Sequence, residues 1–366
     1  MLNALDFYNA LKDQGMDMFC GVPDSLLKEL CACITDKTDN DHNIIAANEG
    51  NALAIAAGHY LATKKPAVVY MQNSGEGNIV NPLLSLIDEE VYNIPALLII
   101  GWRGEPNIHD EPQHIKQGKL TLPLLETMGV EYEILAEISQ VKKATDYMKQ
   151  TGKPFALIVK KGTFEEYPNK PPKQAKYSLT REQAIQELVC LMGKDDIVVS
   201  TTGMISRELY ENRPTHEKDF LTVGSMGHAS SIAFGIAINK PNRKVFCFDG
   251  DGAFLMHMGA AAVIASRRLP NLKHIIFNNE SHDSVGGQPT VMASVNLSKV
   301  LEGCGYKKIY QVYSLEDIKN SWPDFYTANE PCLMEIKVKS GARKDLGRPK
   351  EKPVENKQAF MHFVEN

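Results

Sequence analysis

Short apolar runs alternate with amphipathic or alanine-rich segments along the whole chain. In the first half, residues 18–20, 44–47, 67–71, 96–100 and 155–159 are almost purely apolar and too short for helices, so they read as buried strands. Helices are predicted between them at 3–14, 24–33, 49–62 and near 81–88. The second half restarts the pattern. Thr180 and Gln183 have the spacing of a capping box and open a helix that runs to Met192. Strands follow at 197–200, 244–248, 274–278 and 332–338, with a glycine-containing loop entering a helix over 224–238 and an alanine-rich helix over 257–266. Apolar strands separated by helices predict parallel sheets covered on both faces. The expected fold class is α/β, as two doubly wound parallel-sheet domains. Residues 160–180 hold Pro168, Pro171 and Pro172 among charges without periodicity. This break divides the chain into domains at 1–165 and 181–366, with a linker at 166–180. The polar, basic tail after Ser340 has no pattern that assigns it a structure.

The length of 366 residues agrees with two domains at ~150 residues each. Lys and Arg number 40 against 45 Asp and Glu, a net charge of −5, which argues against a general nucleic-acid binder. The longest strongly apolar stretch, 94–102, is far short of the ~20 residues that span a bilayer. The first residues read as an amphipathic helix, without the features of a secretory signal, and the last carry no lipidation motif. A cytoplasmic protein with no membrane partner is expected. The seven cysteines are odd in number, and Cys31 and Cys33 lack a zinc or redox spacing. They read as small core residues in a reducing compartment.

The chemistry concentrates at predicted strand ends. Gly250-Asp251-Gly252 follows an apolar strand and precedes a helix. Its glycines let backbone approach a phosphate, and its carboxylate is a hard oxygen ligand for Mg²⁺. Asn279 ends the next strand, 28 residues after Asp251, which is the length of one crossover helix and strand. A right-handed crossover brings the two strand ends side by side. Taken alone, such a turn and such an asparagine pair are common.

Together they resemble the GDG…NN signature of the thiamine-diphosphate enzymes. Residues 46–58 match that family's glutamate-bearing helix start, and Gly224-Ser225-Met226-Gly227 and residues 72–78 match two further cofactor loops. The resemblance covers nearly the whole chain and implies thiamine diphosphate and Mg²⁺ as cofactors. It implies that Glu49 hydrogen-bonds the aminopyrimidine N1′, that the Gly224 carbonyl accepts from the 4′-amino group, and that Met226 props the cofactor into its bent form. It further implies Asp251, the Asn279 side chain and the Ser281 carbonyl as metal ligands, Gly252 and Ala253 as phosphate-binding amides, and Asn73 in a loop facing the cofactor. The large middle domain of many such decarboxylases is missing, so the chain resembles the short ones. The runs GVPDSLLKEL, NEGNALAIAAGHYL, YMQNSGEGN, DEPQH, GSMGHAS, GDGAFLMHMG and HDSVGGQPT look like the phosphonopyruvate decarboxylase branch.

That branch implies decarboxylation of 3-phosphonopyruvate to phosphonoacetaldehyde in phosphonate biosynthesis. Asp24 and Ser25 are then candidates for proton handling. Arg103, His109, His114, Lys116, His282 and Asp283 join them as candidates to meet a doubly anionic substrate. Arg343 or Lys344 of the tail are further candidates. The family arrangement implies a homo-oligomer with its active site at a subunit interface. The alternatives are a sulfopyruvate decarboxylase or other 3-substituted-pyruvate decarboxylase, a carboligating synthase, and a non-catalytic cofactor-binding protein.

Overall fold

The computed structural model describes residues 1–168 and 176–365. The chain divides into two compact units, Met1–Pro171 and Pro172–Asn366. Residues 169–175 of the expected linker lie outside the described residues.

The first unit is a six-stranded parallel sheet. Its strands are β1 (Phe19–Gly21), β2 (Asn43–Ile45), β3 (Ala67–Gln72), β4 (Ala96–Gly101), β5 (Glu131–Ile134) and β6 (Phe155–Val159), in the order β2-β1-β3-β4-β6-β5. Alternate residues of one strand feed two separate cores. Val68 and Tyr70 pack with Phe7, Leu30 and Phe155 on one face; Val69 and Met71 pack with Leu53, Leu98 and Ile158 on the other. Both faces are dry, so the central strands read as unbroken apolar runs. Strand order reverses between β1 and β3, the place where open α/β sheets bind ligands beyond their carboxyl ends.

In the first unit three elements were not predicted: the helices Pro112–Thr127 and Gln140–Thr151, and edge strand β5 with its half-exposed sequence Glu-Tyr-Glu-Ile. In the second, the strands at Asp219–Leu221 and Lys308–Val312 and the helices Met204–Asn212, Leu297–Cys304 and Leu315–Thr327 were not predicted either. The helix expected at 24–33 begins only at Lys28, because Asp24 turns its carboxylate back onto the Leu26 amide at 2.9 Å. The helix expected near 81–88 starts earlier, as Glu76–Pro82, and passes into a wide turn at Leu83–Ile87.

The second unit repeats the plan. Its strands are β7 (Ile197–Ser200), β8 (Asp219–Leu221), β9 (Val245–Gly250), β10 (Leu272–Asn278), the two-residue β11 (Ser281–His282) and β12 (Gln288–Pro289), β13 (Lys308–Val312) and β14 (Cys332–Lys337). Six of them form a parallel sheet in the order β13-β14-β10-β9-β7-β8. β9 and β10 are neighbours, Ile276 beside Asp249, so the predicted crossover is present. Strand order reverses between β7 and β9, and Asp251 stands at the carboxyl end of β9. The capping box is formed: the Gln183 amide donates to Thr180 Oγ1 at 3.2 Å, and the Thr180 amide donates to Gln183 Oε1 at 3.0 Å. The helix expected at 257–266 runs over Ala260–Ser266, and a further short helix, Asp251–Met256, springs directly from β9 ahead of it. The tail carries a helix at Pro353–Glu365.

All seven cysteines are free. Cys190 is exposed and Cys304 partly so, contrary to a purely buried set. Among the described residues, no helix is long and apolar enough to cross a membrane.

Candidate active site

In the first unit Glu49 is the first residue of the helix Glu49–Thr63, whose N-cap Asn48 accepts from the Asn51 amide at 3.0 Å. Its carboxyl is 4% exposed. Asn78 Nδ2 donates to Oε2 at 2.6 Å. A Cβ on Gly75 would fall 2.5 Å from Oε1, so only glycine leaves room for this carboxyl. Burial pushes the Glu49 pKa up, and the Asn78 donor opposes part of that shift. Asn78 lies inside a run recognised from sequence, but its role as the Glu49 partner was not read there.

Asn73 follows β3 and acts as a clamp. Its Nδ2 donates to the Arg103 carbonyl at 2.8 Å and to Thr121 Oγ1 at 2.9 Å, and its Oδ1 accepts from the Arg103 amide at 3.1 Å. Both amide hydrogens are thereby taken, so this side chain joins the ends of β3 and β4 and has no N–H left for a cofactor.

Glu76, three residues on, is 3% exposed, and its Oε1 has no hydrogen-bond partner. Burial pushes its pKa up to about 8. The folded protein therefore holds the Glu76 proton more tightly than the unfolded chain. The stability this contributes is complete below the unfolded pKa and is lost as pH rises through about 8. We expect Glu76→Gln to flatten the fall in melting temperature between about pH 6 and about pH 9. Calorimetric scans of wild type and variant with equal slopes over that range would contradict this.

Beyond β1 and β4 a charged cluster assembles. Arg103 is held bidentately by Asp110, Nε to Oδ2 at 2.8 Å and Nη2 to Oδ1 at 2.5 Å, and its Nη1 donates to Ser25 Oγ at 2.9 Å. The bond to Asp110 raises the Arg103 pKa. Asp24 is fully buried beside it; burial lifts its pKa to about 6 against the opposing pull of the Leu26 amide and Arg103. His114 is buried with Nδ1 unpartnered, and burial, reinforced by Arg103, lowers its pKa. Four of the sequence candidates, Asp24, Ser25, Arg103 and His114, thus share one neighbourhood. His109 and Lys116 do not join them and are exposed.

In the second unit Asp251 is 2% exposed. Its Oδ2 accepts from Thr290 Oγ1 at 2.5 Å. The backbone amides of Asn279 and Gly252 also donate to the carboxylate, yet burial still lifts its pKa to about 7. A carboxylate so dry is one that a bound cation would relieve. Asn279 Oδ1 accepts from the Ser281 amide at 3.1 Å, and Nδ2 donates to Asp283 Oδ2 at 2.6 Å. A Cβ on Gly252 would sit 3.0 Å from His282 Nδ1 and 3.6 Å from Met226 Cε, so both side chains flank the start of this helix. Burial lowers the His282 pKa to about 4, leaving a neutral imidazole. Ala253 is buried one residue on, its carbonyl against Gly227. Gly224 lies in the loop that Thr202 Oγ1 ties to β7 by donating to the Val223 carbonyl at 2.7 Å.

Thr201 Oγ1, at the end of β7, is buried without a partner. An orphaned hydroxyl, a dry carboxylate and a glycine-lined helix start at the sheet's reversal point suit a metal-bound diphosphate. Thr201 and Thr290 carried no signal in the sequence beyond their neighbours. The tail candidate Arg343 is occupied by Glu182 at 3.1 Å and Glu211 at 2.5 Å, while Lys344 is exposed.

Comparison with known proteins agrees with both halves. Residues 4–122 match the N-terminal TPP binding domain of thiamine pyrophosphate enzymes, and residues 199–336 match the C-terminal TPP binding domain. The stretch between them completes the first sheet and begins the second unit, so there is no middle domain. A phosphonopyruvate decarboxylase of Streptomyces viridochromogenes is 32% identical over all of this chain and 95% of its own length. One from Streptomyces hygroscopicus is 32% identical over all of this chain and 94% of its own. A sulfopyruvate decarboxylase of Methanosarcina acetivorans is 28% identical over 90% of each chain. With both binding domains matched and full-length decarboxylase relatives, the chain belongs to the thiamine pyrophosphate enzymes, among their carboxy-lyases.

Proposed function

We propose that the chain decarboxylates 3-phosphonopyruvate to phosphonoacetaldehyde and CO2, with thiamine diphosphate and Mg²⁺, in phosphonate biosynthesis. The observation that carries this reading is the end-to-end similarity to the two Streptomyces phosphonopyruvate decarboxylases. Glu49 serves the aminopyrimidine, sharing a proton through the oxygen that Asn78 does not hold. The Gly224 carbonyl and Met226 seat the same ring. Asp251, Asn279 and the Ser281 carbonyl hold the metal, and the amides of Gly252 and Ala253 meet the diphosphate. When bound, thiamine diphosphate supplies the electron sink for loss of CO2.

Arg103, fixed by Asp110, offers positive charge to the substrate's anionic groups. Asp24, with its pKa near 6, handles a proton beside it. Ser25 and His114 complete that pocket, and neutral His282 stands at the diphosphate end. The enzyme is a cytoplasmic homo-oligomer in this reading; its free cysteines suit a reducing compartment.

A second reading is sulfopyruvate as substrate, which the Methanosarcina relative favours. Turnover of phosphonopyruvate, sulfopyruvate and pyruvate, coupled to reduction of the aldehyde, decides between them. The expected result is at least a ~10²-fold preference in kcat/KM for phosphonopyruvate, well within the ~10⁴–10⁵ that a site built to hydrogen-bond the discriminating group can reach. A preference for sulfopyruvate, or carboligated products when an aldehyde acceptor is added, would overturn it.

A further inference from the structure

An asparagine that ligates a cation must turn its oxygen inward, yet the two ends of its amide have nearly the same shape. Something has to choose. We propose that Asp283 is a positioning residue that fixes the Asn279 amide with Oδ1 toward the metal, an inference that rests on the metal site proposed above.

The Ser281 amide donates to Asn279 Oδ1 at 3.1 Å, and Asp283 Oδ2 holds the other end more closely, 2.6 Å from Asn279 Nδ2. An ionised carboxylate only accepts, so it binds the NH₂ end and turns the carbonyl end away. The same Oδ2 also accepts from Arg181 Nη1 at 3.1 Å and from the Gly341 amide at 2.9 Å. Three donors on one oxygen leave the carboxylate little freedom to turn. Arg181 is itself 4% exposed and is gripped by Glu208 through Nε at 2.8 Å and Nη2 at 3.0 Å. A chain of contacts, Glu208–Arg181–Asp283–Asn279, buried at its first two members and half-buried at the others, therefore runs from the two helices Arg181–Leu191 and Met204–Asn212 to the loop after β10.

Gly341 ties the tail into the same point. The following residues are clamped by Arg207, which donates to the carbonyls of Leu346 and Gly347, and by Arg343 on Glu182 and Glu211. This assignment differs from the sequence expectation that Asp283 meets substrate. The oxygen that Asp283 turns inward is committed to protein donors.

Loss of Asp283 leaves Arg181 paired with Glu208, so no buried charge is orphaned and the fold should persist. The test titrates Mn²⁺ into metal-free protein saturated with thiamine diphosphate and reads free Mn²⁺ by electron paramagnetic resonance. Asp283→Ala should weaken Mn²⁺ binding by ~10–100-fold, the usual effect of removing the partner of a metal ligand. The metal-free melting temperature should stay close to that of wild type. Asn279→Asp placed on top of Asp283→Ala should restore most of the affinity, because an aspartate offers oxygen at both ends and needs no orientation. Because the added charge by itself tightens metal binding, Asp283→Asn is the control: its carbonyl still accepts from Asn279 Nδ2, so it should keep most of the wild-type affinity. If Asn279→Ala weakens Mn²⁺ binding while Asp283→Ala does not, or if the second aspartate fails to rescue, the positioning role is wrong. If Asn279→Ala itself leaves Mn²⁺ affinity unchanged, the metal site is wrong.

Discussion

Glu49→Gln is expected to lower turnover by ~10³-fold or more, within the range that a positioned acid or base contributes. The geometry makes this substitution a clean probe. Asn78 donates to Glu49 Oε2, and the carbonyl oxygen of a glutamine can accept the same bond. The residue at 49 then stays seated against Gly75, with an amide where the proton-sharing oxygen stood. Fold and cofactor affinity should change little, because burial of a neutral amide is no harder than burial of a carboxyl with a raised pKa. Circular dichroism and melting temperature report on the fold, and steady-state kinetics with saturating thiamine diphosphate and Mg²⁺ reports on the chemistry. Glu49→Ala should be at least as inactive. A glutamine variant that keeps more than about a tenth of wild-type turnover would remove Glu49 from its assigned role.

Asp251→Ala is expected to abolish cofactor binding rather than chemistry. Calorimetric titration of thiamine diphosphate in the presence of Mg²⁺ should lose the saturable heat seen for wild type, a weakening of ~10²-fold or more for loss of a charged ligand and its partners. The Thr290 hydroxyl and the Asn279 amide both lose their acceptor in this variant. Part of the activity should return when metal and cofactor are raised together, because Glu49 and the charged cluster around Arg103 are untouched. That rescue separates the two predictions: excess cofactor should not restore Glu49→Gln. Unchanged affinity in Asp251→Ala would contradict the metal assignment.

The parts of this fold that were legible beforehand share a physical property. β6 (Phe155–Val159) and β7 (Ile197–Ser200) were read at their true limits because both of their faces are buried, and a fully buried strand must be apolar throughout. β5 was invisible because this edge strand is partly wet on both faces and carries glutamates and a tyrosine, as a loop does. The helix expected from Asp24 starts only at Lys28, because the Asp24 carboxylate is turned onto the Leu26 amide and buried beside Arg103. Within the segment 103–116, spacing could not tell which cations turn inward. The bidentate grip of Asp110 on Arg103 and the burial of His114 decided it, and His109 and Lys116 were left in water.

By itself the sequence determined the two parallel sheets, the family and the residue types at the strand ends. Those follow from local periodicity and from motifs only a few residues long. The tertiary structure decided how each reactive atom is aimed: Asn78 on Glu49, Thr290 on Asp251, and Arg181 with Gly341 on Asp283. Each of these is a hydrogen bond between residues far apart in the chain. Its existence depends on where the sheet delivers the two strand ends or loops, which no local pattern of polar and apolar residues encodes.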